Sequence, residues 1–433
     1  MLLGCFILTI LLLTPAIDGG TLNTRYILYD VNPGEGFNLR RDVYMRMAVF
    51  VRKLNIGDPN TKWVLVLPPW GHLYHWKTRE LGPQRHIGWS HFFDLPSLDH
   101  FVPVIEFRQW KKENEGVVDS VYYLQGYKEG WQSGKFEEKF DVRDCLEEER
   151  YWFDENENMF RGQFFFFEDV FAKKFQCLSV QGRTDVVTSL VKGLPDTSIM
   201  LDRAENLLHD FFGDANYWAA RRSMIFSDML ITEAEDFRRD KLDSTDKHDD
   251  TEVDPDWWKH RAERRNRGGN FGCVHMRRGD FARSRGDQVP GIKWVAKQLE
   301  QKLADRKLNT LFLSTDADYD EVKVLEKNLP EVKVVRFQPS NKEKKAFKDG
   351  GVAIIDQIIC SHAQYFIGTR ESTFTFRIQE EREIMGFNLE DTFDMLCRDG
   401  EMECEGGTQW KIDWGPPDKD WSLPIKKQQR SEL

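Results

Sequence analysis

The rhythm of apolar positions changes midway along the chain. In the second half, short apolar runs at residues 271–275, 310–313, 332–337 and 365–367 read as buried strands. Helical spacing at 292–308, 319–328, 351–363 and 373–385 separates or follows them. Such a series of βα units predicts a parallel sheet with helices on both faces. The first half is less regular. Strands are predicted at 25–31, 63–67, 102–107, 117–124, 177–181 and 198–201. Val43, Met45, Met47, Ala48, Val51 and Leu54 predict a helix over 39–54, and a long helix is expected over 217–239. Residues 137–157 are acidic and read as surface, and 241–255 hold almost no apolar residue and read as a linker. The resulting fold class is α/β, with two Rossmann-like domains facing a central cleft. Their expected bounds are 20–245 and 265–433, joined by 246–264.

Residues 1–19 stand apart. An apolar run of about twelve residues is followed by Pro15, Ala16, Gly19 and Gly20, the length and ending of a secretion signal rather than a membrane span. The mature chain is therefore expected in the secretory pathway. The last four residues, Arg430-Ser431-Glu432-Leu433, loosely match the KDEL type of retention signal and point to the endoplasmic reticulum lumen, with the Golgi as the alternative. Of seven cysteines, Cys5 leaves with the signal. An even number remains, which in an oxidising compartment implies disulfides. The spacing lets Cys397 and Cys404 close a small ring. Cys273, in a strand, and Cys360, in a helix, read as buried free thiols.

The net charge of −11 argues against a nucleic-acid groove while permitting a local basic pocket. Aromatic residues make up 13% of the chain, enough for a large core and for ring-stacking surfaces. No Cys/His cluster has metal-site spacing.

The candidate chemistry gathers where strands end. The run Gly272-Cys273-Val274-His275-Met276-Arg277-Arg278-Gly279-Asp280-Phe281 passes from an apolar strand into charge. Ligands of open α/β sheets bind at that carboxyl edge, and a guanidinium there grips a diphosphate through paired hydrogen bonds. A solvated arginine pair is the plainer alternative, and Arg278-Gly279-Asp280 also spells an adhesion tripeptide. Ser314-Thr315-Asp316 and Gly368–Phe374 fall at two further strand ends, where hydroxyls and helix-start N–H groups suit phosphate oxygens. In the first half, Asn32-Pro33-Gly34-Glu35-Gly36-Phe37-Asn38 joins a strand to a helix. Its glycines let backbone approach a ligand. Glu35 is either a solvated loop carboxylate or a general base at a cleft mouth. Trp70, His72, Tyr74, His75 and Trp76 pack in the first instance, or line an acceptor cleft. Asp356 lies in an apolar helix, either facing a nucleobase or bonded within the fold. Glu381 is a surface residue by default, but eight residues past Thr373 it could instead face inward.

Taken in order, residues 28–41, 63–76, 177–181, 200–210, 274–281 and 349–383 resemble the GDP-fucose protein O-fucosyltransferases, specifically those that modify thrombospondin type 1 repeats. The resemblance implies a GT-B glycosyltransferase with the nucleotide sugar held mainly by the second half. It implies Glu35 as catalytic base and Gly34, Gly36, Phe37 and Asn38 as donor contacts. It further implies His275, Met276 and Arg277 on the diphosphate, Asp356 on guanosine, Thr373 and Phe374 on the donor, and Glu381 supporting Arg277 from behind. Disulfides Cys145–Cys177 and Cys397–Cys404 follow from it as well. So do GDP-fucose as donor and folded thrombospondin type 1 repeats as acceptors, with inversion at the anomeric carbon. No Asp-x-Asp dyad stands out at a strand end, Asp316-Ala317-Asp318 being the nearest, and an arginine can take a cation's role, so no essential metal or cofactor is expected, and the protein is expected to be a monomer. A non-catalytic quality-control binder of such repeats and a fucosyltransferase for another acceptor are the rival functions.

Overall fold

The computed structural model describes residues 22–130, 136–146, 150–404, 410–417, 419 and 421–423. The expected signal segment and the Arg430-Ser431-Glu432-Leu433 terminus lie outside them. Among the described residues, no helix is long and apolar enough to cross a membrane.

Two sheets organise the molecule. The first contains β1 (Asn23–Tyr29), β2 (Thr61–Leu67), β3 (Val104–Glu106), β4 (Val117–Gln125), β5 (Lys139–Arg143), β6 (Trp152–Asp154), β7 (Met159–Arg161), β8 (Phe171–Gln181) and β9 (Ser198–Asp202). Its order is β3-β2-β1-β9-β4-β8-β7-β6, with β5 pairing β8. The centre is parallel, and the β5, β6 and β7 pairings are antiparallel. The second sheet is wholly parallel, in the order β12-β11-β10-β13-β14. Its strands are β10 (Gly269–Met276), β11 (Thr310–Thr315), β12 (Lys333–Val335), β13 (Ala363–Gly368) and β14 (Asp394–Met395). Strands β9 and β10 are buried along nearly their whole length, as continuous apolar runs covered on both faces require.

The register aligns the chemistry. His275 stands opposite Ser314 on one neighbour and Gly368 on the other, so three strand ends open at one level. The Phe37–Gly57 helix follows β1 and the Asn32–Gly36 turn, and 14 of its residues are buried, which makes it a spine between the halves rather than a surface element. Val43 and Ala48 from this helix share one apolar core with Cys273, Phe312 and Ile354 of the second half.

Several expectations give way to tertiary structure. The helix foreseen over 217–239 is two helices, Ala215–Arg222 and Asp228–Leu242. The break is imposed from outside, because Ser227 N–H donates to Phe92 O (3.0 Å) and Asp94 N–H to Ile225 O (2.9 Å). The polar stretch 241–255 is not a loose tether. It contains a turn of helix, Asp246–Asp249, and buries Ser244, Asp249 and Thr251. Buried Arg238 fixes it by donating to Ser244 Oγ (3.1 Å) and pairing with Asp246 (2.7 Å). The described part of the acidic region 137–157 is mostly exposed, as expected, and also supplies strands β5 and β6. The helix expected from 351 begins at Asn341, behind a Ser340/Glu343 capping box, and breaks at Lys348 (φ 62°). The cysteines pair as Cys145–Cys177, Cys397–Cys404 and Cys273–Cys360. The last pair replaces the free thiols expected, since Cys273 on β10 and Cys360 on the covering helix approach to a Cα–Cα distance of 5.2 Å.

Candidate active site

A cleft of about 770 Å³ opens between the carboxyl edge of the second sheet and the loops of the first half. Gly34, Glu35, Gly36, Phe37 and Asn38 form one wall, and His275, Arg277, Asp356, Thr373 and Phe374 line the other. Residues more than 200 positions apart are thus brought to one cavity. Two candidates are not. Met276 alternates to the opposite face of β10, is 1% exposed and packs in the core of the second sheet. Glu381 lies two helical turns beyond Thr373, lines a separate cavity and pairs with Arg221 (2.6 Å) rather than reaching behind Arg277.

The Glu35 wall is built by its turn. Glu35 N–H donates to Asn32 O (2.9 Å), and Arg40 Nε donates to Glu35 O (3.1 Å), so the backbone is held from both sides. Among the described residues none donates a hydrogen bond to the Glu35 carboxylate. Asn38 is anchored across the cleft. Its Oδ1 accepts from Gln357 Nε2 (3.0 Å) and Arg41 Nη1 (3.3 Å), and Arg41 also donates to Gln357 Oε1 (2.8 Å). Gln357 follows Asp356, so this triad ties the Glu35 turn to the helix that carries Asp356.

The opposite wall is densely bonded. Arg277 follows β10, and its N–H donates to Thr369 Oγ1 (2.8 Å). Its guanidinium is gripped by Asp316 (2.5 Å) and Asp280 and donates to His75 Nδ1 (3.1 Å). These three partners do what was expected of Glu381. His275 Nδ1 bonds Thr375 Oγ1 (2.7 Å), and the ring stacks on Phe374 at 4.3 Å. Burial, then the Arg277 charge, pulls His275 down to about 3, so the ring is neutral. Burial likewise pushes the Asp356 carboxyl up to about 7, partly offset by the Ser314 hydroxyl that donates to it at 2.8 Å. Ser372, Thr373 and Phe374 bring the first turn of the Thr373–Met385 helix to the cleft, where unpaired N–H groups and the helix dipole favour an anion.

Arg278 turns away, donating to Glu321 (2.6 Å) and Pro290 O (2.9 Å). With Asp280 paired to Arg277, both charged ends of the tripeptide are occupied, which removes the adhesion reading.

Behind the cleft lies a buried charge network that the sequence did not announce. Glu380, 0% exposed, accepts from Arg221 Nε (2.5 Å) and Tyr217 OH (2.7 Å) and pairs with Arg377 (3.0 Å). Arg377 also lies 3.6 Å from Asp42 on the Phe37–Gly57 helix. The carboxylates hold the Arg221 charge despite burial, raising its pKa. No spacing rule pairs positions 160 residues apart. The cluster of charged residues at Arg377, Glu380, Glu381, Arg382 and Glu383 in one helix is the one local hint. Asp280 and Asp316 were visible as strand-end residues, but their role emerges only from contact with Arg277. Among the described residues no group of three or more His, Cys, Asp or Glu side chains has metal-holding geometry.

Comparison with known proteins accords with this geometry. The family model described as "O-FucT: GDP-fucose protein O-fucosyltransferase" matches residues 26–385. GDP-fucose protein O-fucosyltransferase 2 of Homo sapiens is 45% identical over 399 residues, covering 92% of this chain and 91% of that protein. The Caenorhabditis elegans protein of the same name is 46% identical over 393 residues, 90% of each chain. Among solved structures, POFUT1 in complex with GDP aligns with a TM-score of 0.54 at 13% identity, covering 87% of this chain and 99% of that one. POFUT1 in complex with GDP-fucose aligns at 0.51 and 14% identity, over 84% and 96%. The structural likeness shows a shared fold: two α/β units around a cleft, the GT-B arrangement. By family model and by sequence, this chain belongs to the GDP-fucose protein O-fucosyltransferase family.

Proposed function

We propose that this chain transfers fucose from GDP-fucose to a Ser or Thr hydroxyl of folded thrombospondin type 1 repeats, with inversion at the anomeric carbon. The observation that carries the reading is the opposition, across one cleft, of an unpaired carboxylate (Glu35) and a strand-end guanidinium (Arg277).

A neutral hydroxyl attacks well only when a base takes its proton as the new bond forms. Glu35 is that base. The acceptor oxygen bonds the anomeric carbon while the bond from that carbon to the β-phosphate oxygen breaks. The proton goes to Glu35, and GDP leaves with the electron pair. The reacting carbon passes through an oxocarbenium-like state, as in glycoside chemistry. Negative charge grows on the β-phosphate, where Arg277 and the Thr373 helix start supply donors. Asp356 accepts from the guanine N–H edge. In-line displacement from opposite walls inverts the configuration, from β in the donor to α in the product. A guanidinium and helix N–H groups neutralise the diphosphate, so no essential metal or cofactor is required. The enzyme acts as a monomer in the lumen of the endoplasmic reticulum. The three disulfides fit an oxidising compartment.

The test is transfer itself. Purified protein, GDP-fucose and a folded thrombospondin type 1 repeat are incubated and read by intact mass. The repeat gains one fucose, and the gain disappears when the repeat is unfolded by reduction. A protein that binds GDP yet modifies no repeat would turn the reading to another acceptor or to a non-catalytic binder of repeats.

A further inference from the structure

His75 occupies a position that the proposed reaction has not used. It lies on the loop after β2, in the first half, and its ring lines the cleft beside Glu35 and Gly36. Its Nδ1 receives a hydrogen bond from Arg277 Nη2 at 3.1 Å, across the cleft from the second half. A guanidinium only donates, so Nδ1 must be the bare, accepting nitrogen. The proton of the neutral ring is therefore on Nε2. Burial and then the Arg277 charge bring the ring's pKa down to about 4, so it stays neutral at working pH.

The donor thus formed has no partner, because no described residue accepts from His75 Nε2. It is aimed at the base-bearing wall: a Cβ placed on Gly36 would lie 3.4 Å from Nε2 and 3.5 Å from Cδ2 of the same ring. The imidazole thus lies against the turn at about van der Waals distance. Tyr74 fixes the ring from its other side, with centroids 3.6 Å apart, while its hydroxyl donates to Asp280 (3.4 Å), the carboxylate that also holds Arg277. One edge of the imidazole therefore touches the guanidinium assigned to the leaving phosphate, and the other faces the turn that carries the base. The donor's sugar ring must lie between those two groups.

We infer that His75 is a sugar-recognition residue, whose Nε2–H donates to a hydroxyl of the fucosyl ring and whose orientation is set by Arg277. The assignment rests on the donor-site reading above and adds a contact from the first half to a nucleotide sugar otherwise held by the second. It makes Arg277 serve two purposes, gripping phosphate directly and fixing the tautomer of a sugar contact. The contact acts on GDP-fucose and not on GDP, and that difference is measurable.

The experiment titrates GDP and GDP-fucose separately into the full-length protein by calorimetry, for wild type, His75→Phe and His75→Gln. Phenylalanine keeps the ring against Tyr74 and loses both nitrogens, and glutamine keeps an N–H in place of Nε2–H. The ratio of the GDP-fucose Kd to the GDP Kd is expected to rise about tenfold in His75→Phe, the scale of one lost hydrogen bond in a closed site. It is expected to recover at least half of that change, on a logarithmic scale, in His75→Gln. An unchanged ratio in His75→Phe, whether both affinities hold or both fall together, would overturn the assignment and leave the donor-site reading intact. Wild-type protein that binds neither nucleotide would sink the donor-site reading and this assignment with it.

Discussion

The two walls of the cleft are built on opposite principles. On the Glu35 side the backbone is tied down by Asn32 and Arg40 while the carboxylate has no hydrogen-bond donor among the described residues. On the Arg277 side almost every functional group is already engaged: Arg277 with Asp280, Asp316 and His75, His275 with Thr375, and Asp356 with Ser314. The contrast follows from what each side must do. On the proposed reading, a base paired with a cation would be a weaker base, and the Glu35 carboxylate accepts from no described donor while Asp280 and Asp316 hold Arg277. A group that binds a fixed anion gains from being oriented beforehand, since no reorganisation remains at the moment of reaction.

Removing the free group should cost most. Glu35→Gln is expected to lower transfer by about 10³-fold, within the range for a lost general base, as measured by initial rates with GDP-fucose and a folded repeat. On the engaged wall, Arg277→Lys keeps the charge and loses the planar fork. A loss of about 10²-fold in kcat is expected, and a near-normal rate would show that charge alone suffices there. Behind both walls, Glu380→Ala leaves buried Arg221 with Glu381 as its remaining carboxylate and buried Arg377 with Asp42 at 3.6 Å. It should cost about 3–5 kcal/mol in urea unfolding, with activity lost only as the fold is lost.

The Asp356 carboxyl supplies a pH test. Its pKa stands at about 7 in the folded chain against an ordinary 3.8. A raised acid binds its proton more tightly when folded, so its ionisation subtracts stability as pH rises from about 4 through 7. On the proposed reading, guanine recognition uses the ionised form and runs the other way. GDP affinity is expected to rise between pH 6 and pH 8, with proton release near pH 7 in calorimetry, and Asp356→Asn should flatten both. The smallest effect belongs to the link between the walls. Gln357→Leu removes its bonds to Asn38 (3.0 Å) and from Arg41 (2.8 Å), leaves Asn38 with Arg41 alone, and should lower kcat about fivefold, with the GDP Kd within twofold.

The same contrast explains what could be read from the chain before the fold was known. The placement of residues at one cleft was legible because a strand-end residue is a local feature: Glu35 in its glycine turn, Arg277 after β10, Ser314 after β11 and Thr373 at a helix start. Contacts made by folding were not. Glu381 was assigned to Arg277, yet its partner is Arg221, on a helix whose true end was hidden inside one long apolar pattern. Met276 was grouped with its neighbours, although strand alternation sends it to the core. Cys273 and Cys360 looked like isolated thiols because their pairing spans 87 residues. The Ser340/Glu343 box was present in the sequence and would have placed the helix start correctly.

The central claim is a division of labour, with the base on one wall and the donor grip on the other. Its most direct test measures GDP binding and fucose transfer on the same preparations of Glu35→Gln and Arg277→Ala. The account predicts that Glu35→Gln binds GDP with wild-type affinity and transfers about 10³-fold more slowly, while Arg277→Ala loses affinity and transfer together. Glu35→Gln protein that loses GDP binding in step with transfer, or that transfers at near wild-type rate, would contradict it.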